Sequence, residues 1–203
     1  MQQGIIAEGL DRIAASHPAI AEALQRFGYP DERIQPRGHA TLLRIILGQQ
    51  VSVASAEAVW RRLTAMLGDE IAPAALLAAS HEDLRACGLS RQKEAYARSL
   101  CELVAGGALD LHALPDDDQQ AIAQLMEVKG IGRWSAEIYL LFAEGRQDIW
   151  PAGDLAIRVG IGRILGLDRR PNETETRLLA EPWRPWRGAV AVFIWHVYQS
   201  AAV

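Results

Sequence analysis

Lysine is nearly absent from this chain: Lys93 and Lys129 are the only two among 21 basic residues, the rest being arginine. Chemistry that needs an amine nucleophile therefore has very few candidates. Cysteine is as scarce, and Cys87 and Cys101 cannot supply the four thiolates of an iron–sulfur cluster or of an all-cysteine zinc site. Two thiols suit a reducing compartment, and the expected location is the cytoplasm. No long hydrophobic run is present. The longest nearly uninterrupted one, Ala189 to Trp195, is far shorter than the roughly 20 residues that cross a bilayer, and Glu8 breaks the N-terminal stretch where a signal peptide needs its apolar segment. Membrane insertion and secretion are disfavoured. Sustained apolar/polar alternation is missing too, so half-buried strands are not predicted. His17, His39, His81, His112 and His196 show no metal-ligand spacing with one another or with the cysteines, and no chemistry is assigned to them.

What is there is a chain of 203 residues, half apolar and 23% charged, enough for one good core or two small ones. Its net charge of −4 argues against non-specific coating of nucleic acid but leaves room for a local basic face. Between Arg158 and Arg187 seven arginines stand against four acids, a local balance of +3, while acids collect elsewhere, notably at Asp116, Asp117 and Asp118. Those three sit where acids favour a helix N-terminus, a simpler reading than a metal cluster.

Apolar spacing predicts an all-α fold of about ten helices, among them 5–15, 19–27, 40–47, 53–67, 73–79, a short one after the capping sequence Ser80-His81-Glu82-Asp83, 91–105, and one opened by Pro115 and the aspartates that runs to Val128. Two polar stretches bearing proline and glycine, 27–38 and 144–153, read as crossings between substructures. The expected layout is discontinuous. Residues 39–143 form one helical domain, with a helix-hairpin-helix at about 120–143, and residues 1–38 plus 144–203 form the second.

The most informative stretch is Val128-Lys129-Gly130-Ile131-Gly132-Arg133-Trp134-Ser135, flanked by helix-forming sequence. It reads as helix, tight hairpin, helix. Glycines at 130 and 132 permit the turn and leave N–H groups uncovered at the start of the next helix, an arrangement that binds a phosphate oxygen. An ordinary helix–helix turn has the same pattern. A second copy, Gly160-Ile161-Gly162-Arg163, differs: Ile157, Ile161, Ile164 and Leu165 keep helical spacing straight through it, so it reads as mid-helix. Each glycine there costs ~1 kcal/mol of helix propensity, and close packing against a neighbour is the expected compensation. Neither copy is a dinucleotide site, since no strand precedes it.

Asp154 stands at the entrance to that second helix, about twenty residues after the hairpin. It is either an N-cap alone or a carboxylate facing a developing positive charge, and both readings predict the same local geometry, with the helix dipole favouring its negative charge. Tryptophan accounts for six of the 13 aromatic residues. Trp183-Arg184-Pro185-Trp186-Arg187 interleaves rings and arginines, a composition suited either to base stacking with phosphate contact or to a core edge.

Taken together, the Gly-Ile-Gly hairpin, the aspartate downstream and the upstream Leu47-Gly48-Gln49-Gln50-Val51-Ser52 resemble the helix-hairpin-helix superfamily of DNA base-excision glycosylases. Trp183 to Trp186, followed by Phe193-Ile194-Trp195, narrows the likeness to its alkylation-repair branch, the DNA-3-methyladenine glycosylase II type, over roughly residues 36–200. The resemblance implies a two-domain fold with an active-site cleft between the domains and Asp154 as catalytic carboxylate. It places DNA-backbone contacts at Lys129, Gly130, Ile131, Gly132 and Arg133, and implies a monovalent cation on hairpin carbonyls near Val128 and Gly130, with no other metal or cofactor. Trp134 and Trp186 match lesion-pocket positions, and Ile138 falls where some relatives have a pocket tyrosine. Trp60 and Trp150 are the candidates for a further pocket wall. The Gln49-Gln50 turn, with Ser52, matches the loop that fills the gap left by an extruded nucleotide, where some relatives have an apolar wedge at the position of Gln50. An additional N-terminal β-rich domain carried by longer members is expected to be missing.

The chemistry agrees with the likeness. A base methylated at a ring nitrogen is cationic, which weakens its glycosidic bond, and an indole face binds such a cation once the nucleotide is flipped out. The expected function is hydrolytic release of alkylated purines, of the 3-methyladenine and 7-methylguanine type, from double-stranded DNA by a monomer. A bifunctional lyase is disfavoured because, in that branch, a lysine occupies the position of Trp134. The alternatives are a glycosylase for neutral lesions such as uracil or hypoxanthine, and a non-catalytic DNA-binding module.

Overall fold

A computed structural model describes residues 1–200. Among them are twelve α-helices and no strand, so the all-α expectation holds. The helices are α1 (Gln3–Ala14), α2 (Pro18–Phe27), α3 (His39–Gly48), α4 (Val53–Leu67), α5 (Pro73–Ala78), α6 (His81–Ala86), α7 (Arg91–Ala105), α8 (Asp118–Leu125), α9 (Arg133–Tyr139), α10 (Leu155–Ile164), α11 (Glu173–Leu179) and α12 (Arg187–Ser200). A π-helical turn, Leu140–Glu144, continues α9, and a 3-10 turn, Glu181–Trp183, precedes α12. Helix starts follow from sequence chemistry: Ser52, Ser80, Ser90, Asp117, Asp154 and Asn172 each accept a hydrogen bond from the amide three residues on. Because Asp117 is the cap, α8 starts at Asp118 and stops at Leu125, shorter than the span to Val128 that the sequence predicts. The count exceeds ten partly through α11, seven residues in a charge-rich stretch where helical periodicity is weak.

The chain divides into two compact units, Gln35–Tyr139 and the remainder, Met1–Ile34 with the segment from Leu140 onward. Each crossing lies four residues before the one read from the sequence. The second falls inside a helical run, because no glycine or proline interrupts 133–143 and α9 passes directly into its π-helical turn.

In the unit 35–139, Leu42, Leu43, Ile46 and Leu47 of α3 are buried where that helix packs on α4, α7 and α9. Glu94 on α7 is buried and ion-paired with Arg98, and its two partners Arg98 and His81 hold its carboxyl below the usual glutamate value against the opposing effect of burial. In the other unit α12 is the central helix. Gly188 to Trp195 are all buried, which suits an element apolar on every side, and α1, α2 and α10 pack around it. No helix of the described residues is long and apolar enough to cross a membrane.

The two glycines of α10 have different reasons to be there. A Cβ on Gly160 would lie 2.3 Å from Ile194 Cγ2 on α12, so this is the close approach expected, whereas one on Gly162 would meet Pro171 Cδ at 3.4 Å, an ordinary contact. Gly160→Ala is therefore expected to destabilise the protein by about 1–2 kcal/mol, overpacking outweighing the gain in propensity. Gly162→Ala is expected to stabilise it by up to ~1 kcal/mol. Urea denaturation of the two variants checks this, and equal effects of one sign would refute the packing argument.

Candidate functional site

The hairpin joins α8 to α9, and its two glycines do different work. Gly130 has φ +83°, and a Cβ there would stand 2.1 Å from Tyr96 Cδ2 on α7, so both backbone and neighbour require glycine. Ile131 N–H closes the turn onto the Val128 carbonyl at 3.0 Å, and Lys129 N–H donates to Ser99 Oγ at 3.1 Å. Gly132 has open space on its Cβ side. It is the approach to the first turn of α9 that its bare backbone leaves clear, where amides have no carbonyl partner within the helix. Lys129 and Gly130 are exposed.

The turn after α3 borders the same groove. Gln49 reaches the hairpin, its Nε2 donating to the Gly130 carbonyl at 2.9 Å. Gln50 is exposed and held at φ +56°, a left-handed conformation uncommon outside glycine, asparagine and aspartate. Ser52 caps α4. The groove, about 790 Å³, is lined by Gln49, Gln50, Lys93, Tyr96, Trp134 and Ile138 among others. Trp134 is 43% exposed, a large aromatic surface facing solvent beside the hairpin. Lys93, known from the sequence only as one of two lysines, belongs to this groove: its Nζ donates to the Leu47 carbonyl at 2.6 Å, and burial pulls its pKa below the ordinary lysine value. No local signal marks this, because Leu47 is 46 residues away in the chain.

Asp154 lies in the other unit as the N-cap of α10. Its Oδ1 accepts from Ile157 N–H at 3.0 Å and from the indole N–H of Trp195 at 3.2 Å, which fixes a half-buried carboxylate in place. Trp195 itself is buried on α12 and packs against Phe142. A tryptophan in an apolar helix needs an acceptor for its N–H, and that need is the only sequence signal pointing to this contact.

The other residues singled out in the sequence have the following surroundings. Trp183 is fully buried, edge-on to Trp150 and His17, so of the two readings of its segment it is core. Five of the seven arginines of the stretch are engaged within the protein, while Arg163 and Arg170 are exposed. Arg169 pairs with Glu175, Arg177 with Glu173, and Arg184 and Arg187 with Asp148 and Glu181, while Arg158 donates to the Pro171 carbonyl. Arg169 and the Asn172 backbone hold the Glu175 carboxyl down at about 2. Arg133 is likewise engaged, with buried Glu137 and with Gln119. Trp60 and Trp150 are both buried, Trp60 beneath the Arg44 guanidinium. Trp186 is half-buried, its ring against Gly9 and 5.8 Å from the Arg12 guanidinium. The Val128 and Gly130 carbonyls each already accept a hydrogen bond, so they fit a monovalent ion only in part. Cys87 and Cys101 are buried, and burial pushes the Cys101 thiol up to about 11, away from nucleophilic chemistry.

Residues 43–185 match the HhH-GPD superfamily of base excision DNA repair proteins, and the chain belongs to that family. It is 30% identical over 164 residues to DNA-3-methyladenine glycosylase 1 of Schizosaccharomyces pombe, a match covering 79% of this chain and 72% of that one. It is equally similar, 30% over 166 residues, to DNA-3-methyladenine glycosylase 2 of Escherichia coli, covering 76% of this chain and 55% of that one. Among solved structures, the DNA-3-methyladenine glycosidase of Bacillus halodurans superposes with a TM-score of 0.85 at 26% identity, covering 97% and 90% of the two chains. The S. pombe 3-methyladenine DNA glycosylase in complex with abasic DNA superposes with a TM-score of 0.82 at 24% identity, covering 97% of both.

Proposed function

We propose that this protein is a monofunctional DNA glycosylase that flips an alkylated purine, of the 3-methyladenine or 7-methylguanine type, out of duplex DNA and releases it by hydrolysis, acting as a monomer in the cytoplasm. The observation that carries the reading is the exposed indole of Trp134, in a groove that starts at a glycine hairpin with an open backbone face. The hairpin amides and Lys129 hold the phosphate backbone, and Gln50, displayed on a strained turn, enters the space that the extruded nucleotide leaves. Flipping costs a few kcal/mol, least for a damaged and poorly paired base. A cationic purine stacked on Trp134 gains about 0.5–2 kcal/mol from the indole face. Ile138 lines the same groove and offers an apolar wall without a hydrogen-bonding group.

Departure of a base that is already cationic needs no strong general acid. The deficit moves to the sugar as an oxocarbenium-like centre, and the Asp154 carboxylate stabilises it and orients the attacking water. With Oδ1 tied by two donors, little reorganisation accompanies the step.

Incubating the protein with methylated duplex DNA and analysing the freed bases tests the reading: 3-methyladenine and 7-methylguanine are expected, with an intact strand bearing an abasic site. Release confined to uracil or hypoxanthine, or no release at all, refutes it. Borohydride added during turnover is expected to trap no protein–DNA adduct, since Trp134 stands where a lyase has its lysine and Lys93 Nζ is engaged with the Leu47 carbonyl. An adduct lost on Lys93→Ala or Lys129→Ala would overturn the monofunctional assignment alone.

A further inference from the structure

The turn and the hairpin that meet DNA in this reading are both referenced to one face of α7. Lys93, Tyr96 and Ser99 follow at three-residue spacing and so form a stripe along that helix. Lys93 Nζ donates to the Leu47 carbonyl in the last turn of α3, immediately before Gly48-Gln49-Gln50. That carbonyl lies among those a helix end leaves without a partner, and a cation there also suits the helix dipole. Tyr96 lies under the hairpin, its ring filling the place a Gly130 Cβ would take, and is itself held by Gln92. Ser99 Oγ accepts the Lys129 N–H. The Gln49 side chain closes the circuit by donating to the Gly130 carbonyl.

We propose that this stripe of α7 is a positioning device that fixes the Gln49-Gln50 turn and the Lys129–Gly132 hairpin at one separation, so that both engage a single duplex in register. None of the three residues needs to touch the lesion. Lys93 acts through Gln50, and Ser99 acts through the hairpin backbone. Their loss therefore leaves different signatures. The hairpin serves any duplex, whereas the turn has work to do only where a nucleotide is displaced.

The inference rests on the glycosylase reading for its choice of DNA, and binding rather than turnover tests it. Affinity is measured by fluorescence anisotropy for a labelled duplex carrying a tetrahydrofuran abasic analogue and for the same duplex undamaged. Lys93→Met is expected to weaken abasic binding about tenfold and undamaged binding less than about twofold, in line with loss of one charged hydrogen bond acting through the turn. In a Gln50→Ala background the same change is expected to add less than about twofold, the non-additivity of residues that act through one another. Lys93→Arg, which keeps a cationic donor, is expected to stay within about threefold of wild type. Ser99→Ala is expected to weaken both duplexes alike, by about fivefold.

Additive losses in the double variant, equal losses on the two duplexes for Lys93→Met, or failure of Lys93→Arg to retain affinity overturn the proposal. If Lys93→Met does not fold, Gln50→Ala and Ser99→Ala carry the test, since equal loss of undamaged binding in the two also overturns it. A wild type that binds abasic duplex but frees no alkylated purine refutes the glycosylase reading and leaves this test standing. Base release with uncoupled variants overturns the positioning alone.

Discussion

Asp154→Asn is expected to slow base release by about a thousandfold, roughly 4 kcal/mol of transition-state stabilisation, while duplex affinity stays within about threefold. The substitution is chosen because it separates charge from architecture. Asparagine is as good an N-cap as aspartate. Its side-chain oxygen still accepts from Ile157 N–H and from the Trp195 indole, bonds that hold the residue now. The melting temperature should therefore hardly move, and what disappears is the negative charge that the proposed mechanism sets against the oxocarbenium centre. Asp154→Ala, in contrast, removes the cap and leaves a largely buried indole N–H without its acceptor, so stability falls by about 1–3 kcal/mol along with activity. Single-turnover release from methylated duplex, run beside thermal denaturation, checks both. Turnover of the asparagine variant within a few-fold of wild type would reduce Asp154 to a helix cap and sink the proposed mechanism.

Gly130→Ala is the second large effect expected. A left-handed backbone costs an L-residue about 1–2 kcal/mol, and displacing the Tyr96 ring adds an overpacking penalty of about 1–3 kcal/mol. The loss of stability is thus put at about 3 kcal/mol. Because the hairpin is what has to move, affinity for duplex DNA is expected to fall by about a hundredfold or more, as hairpin amides and Lys129 leave their positions together. Gly132→Ala is the control, since among the described residues nothing beyond its chain neighbours comes within 4 Å of its Cβ. That variant folds like wild type, and any affinity it loses comes from crowding of the ligand. Denaturant titration and anisotropy on both variants decide the matter; a Gly130→Ala protein with native stability and affinity would mean that the turn tolerates a side chain and that Tyr96 yields freely.

Features set by near neighbours along the chain are legible in the sequence alone. Asp154 reads as a cap because it precedes an apolar helical period, and Gly160 and Gly162 read as mid-helix because Ile157, Ile161 and Ile164 keep their spacing across them. The hairpin reads from its glycines. What is not legible depends on partners far along the chain. Trp183-Arg184-Pro185-Trp186-Arg187 has the composition of a nucleic-acid strap, yet Arg184 and Arg187 are matched by Asp148, 36 and 39 residues away. Lys93 looks like any solvated helix lysine until Leu47 is brought to it. The crossing near Tyr139 escapes the sequence for a related reason: a unit boundary inside a continuous helix leaves no turn chemistry to detect.

The internal pairing of the arginines bears on how such a protein finds damage. Counterions released per phosphate neutralised drive the sliding and long residence of basic proteins on undamaged DNA. A chain of net charge −4, in which four of the seven arginines between 158 and 187 are matched by its own carboxylates, has less of that drive than a basic protein. On the function proposed here, it samples the genome through many brief collisions from solution, and discrimination rests on whether a nucleotide yields to the turn and hairpin during each visit. Its search accordingly depends on ionic strength less steeply than that of a basic protein and leaves intact DNA less occupied.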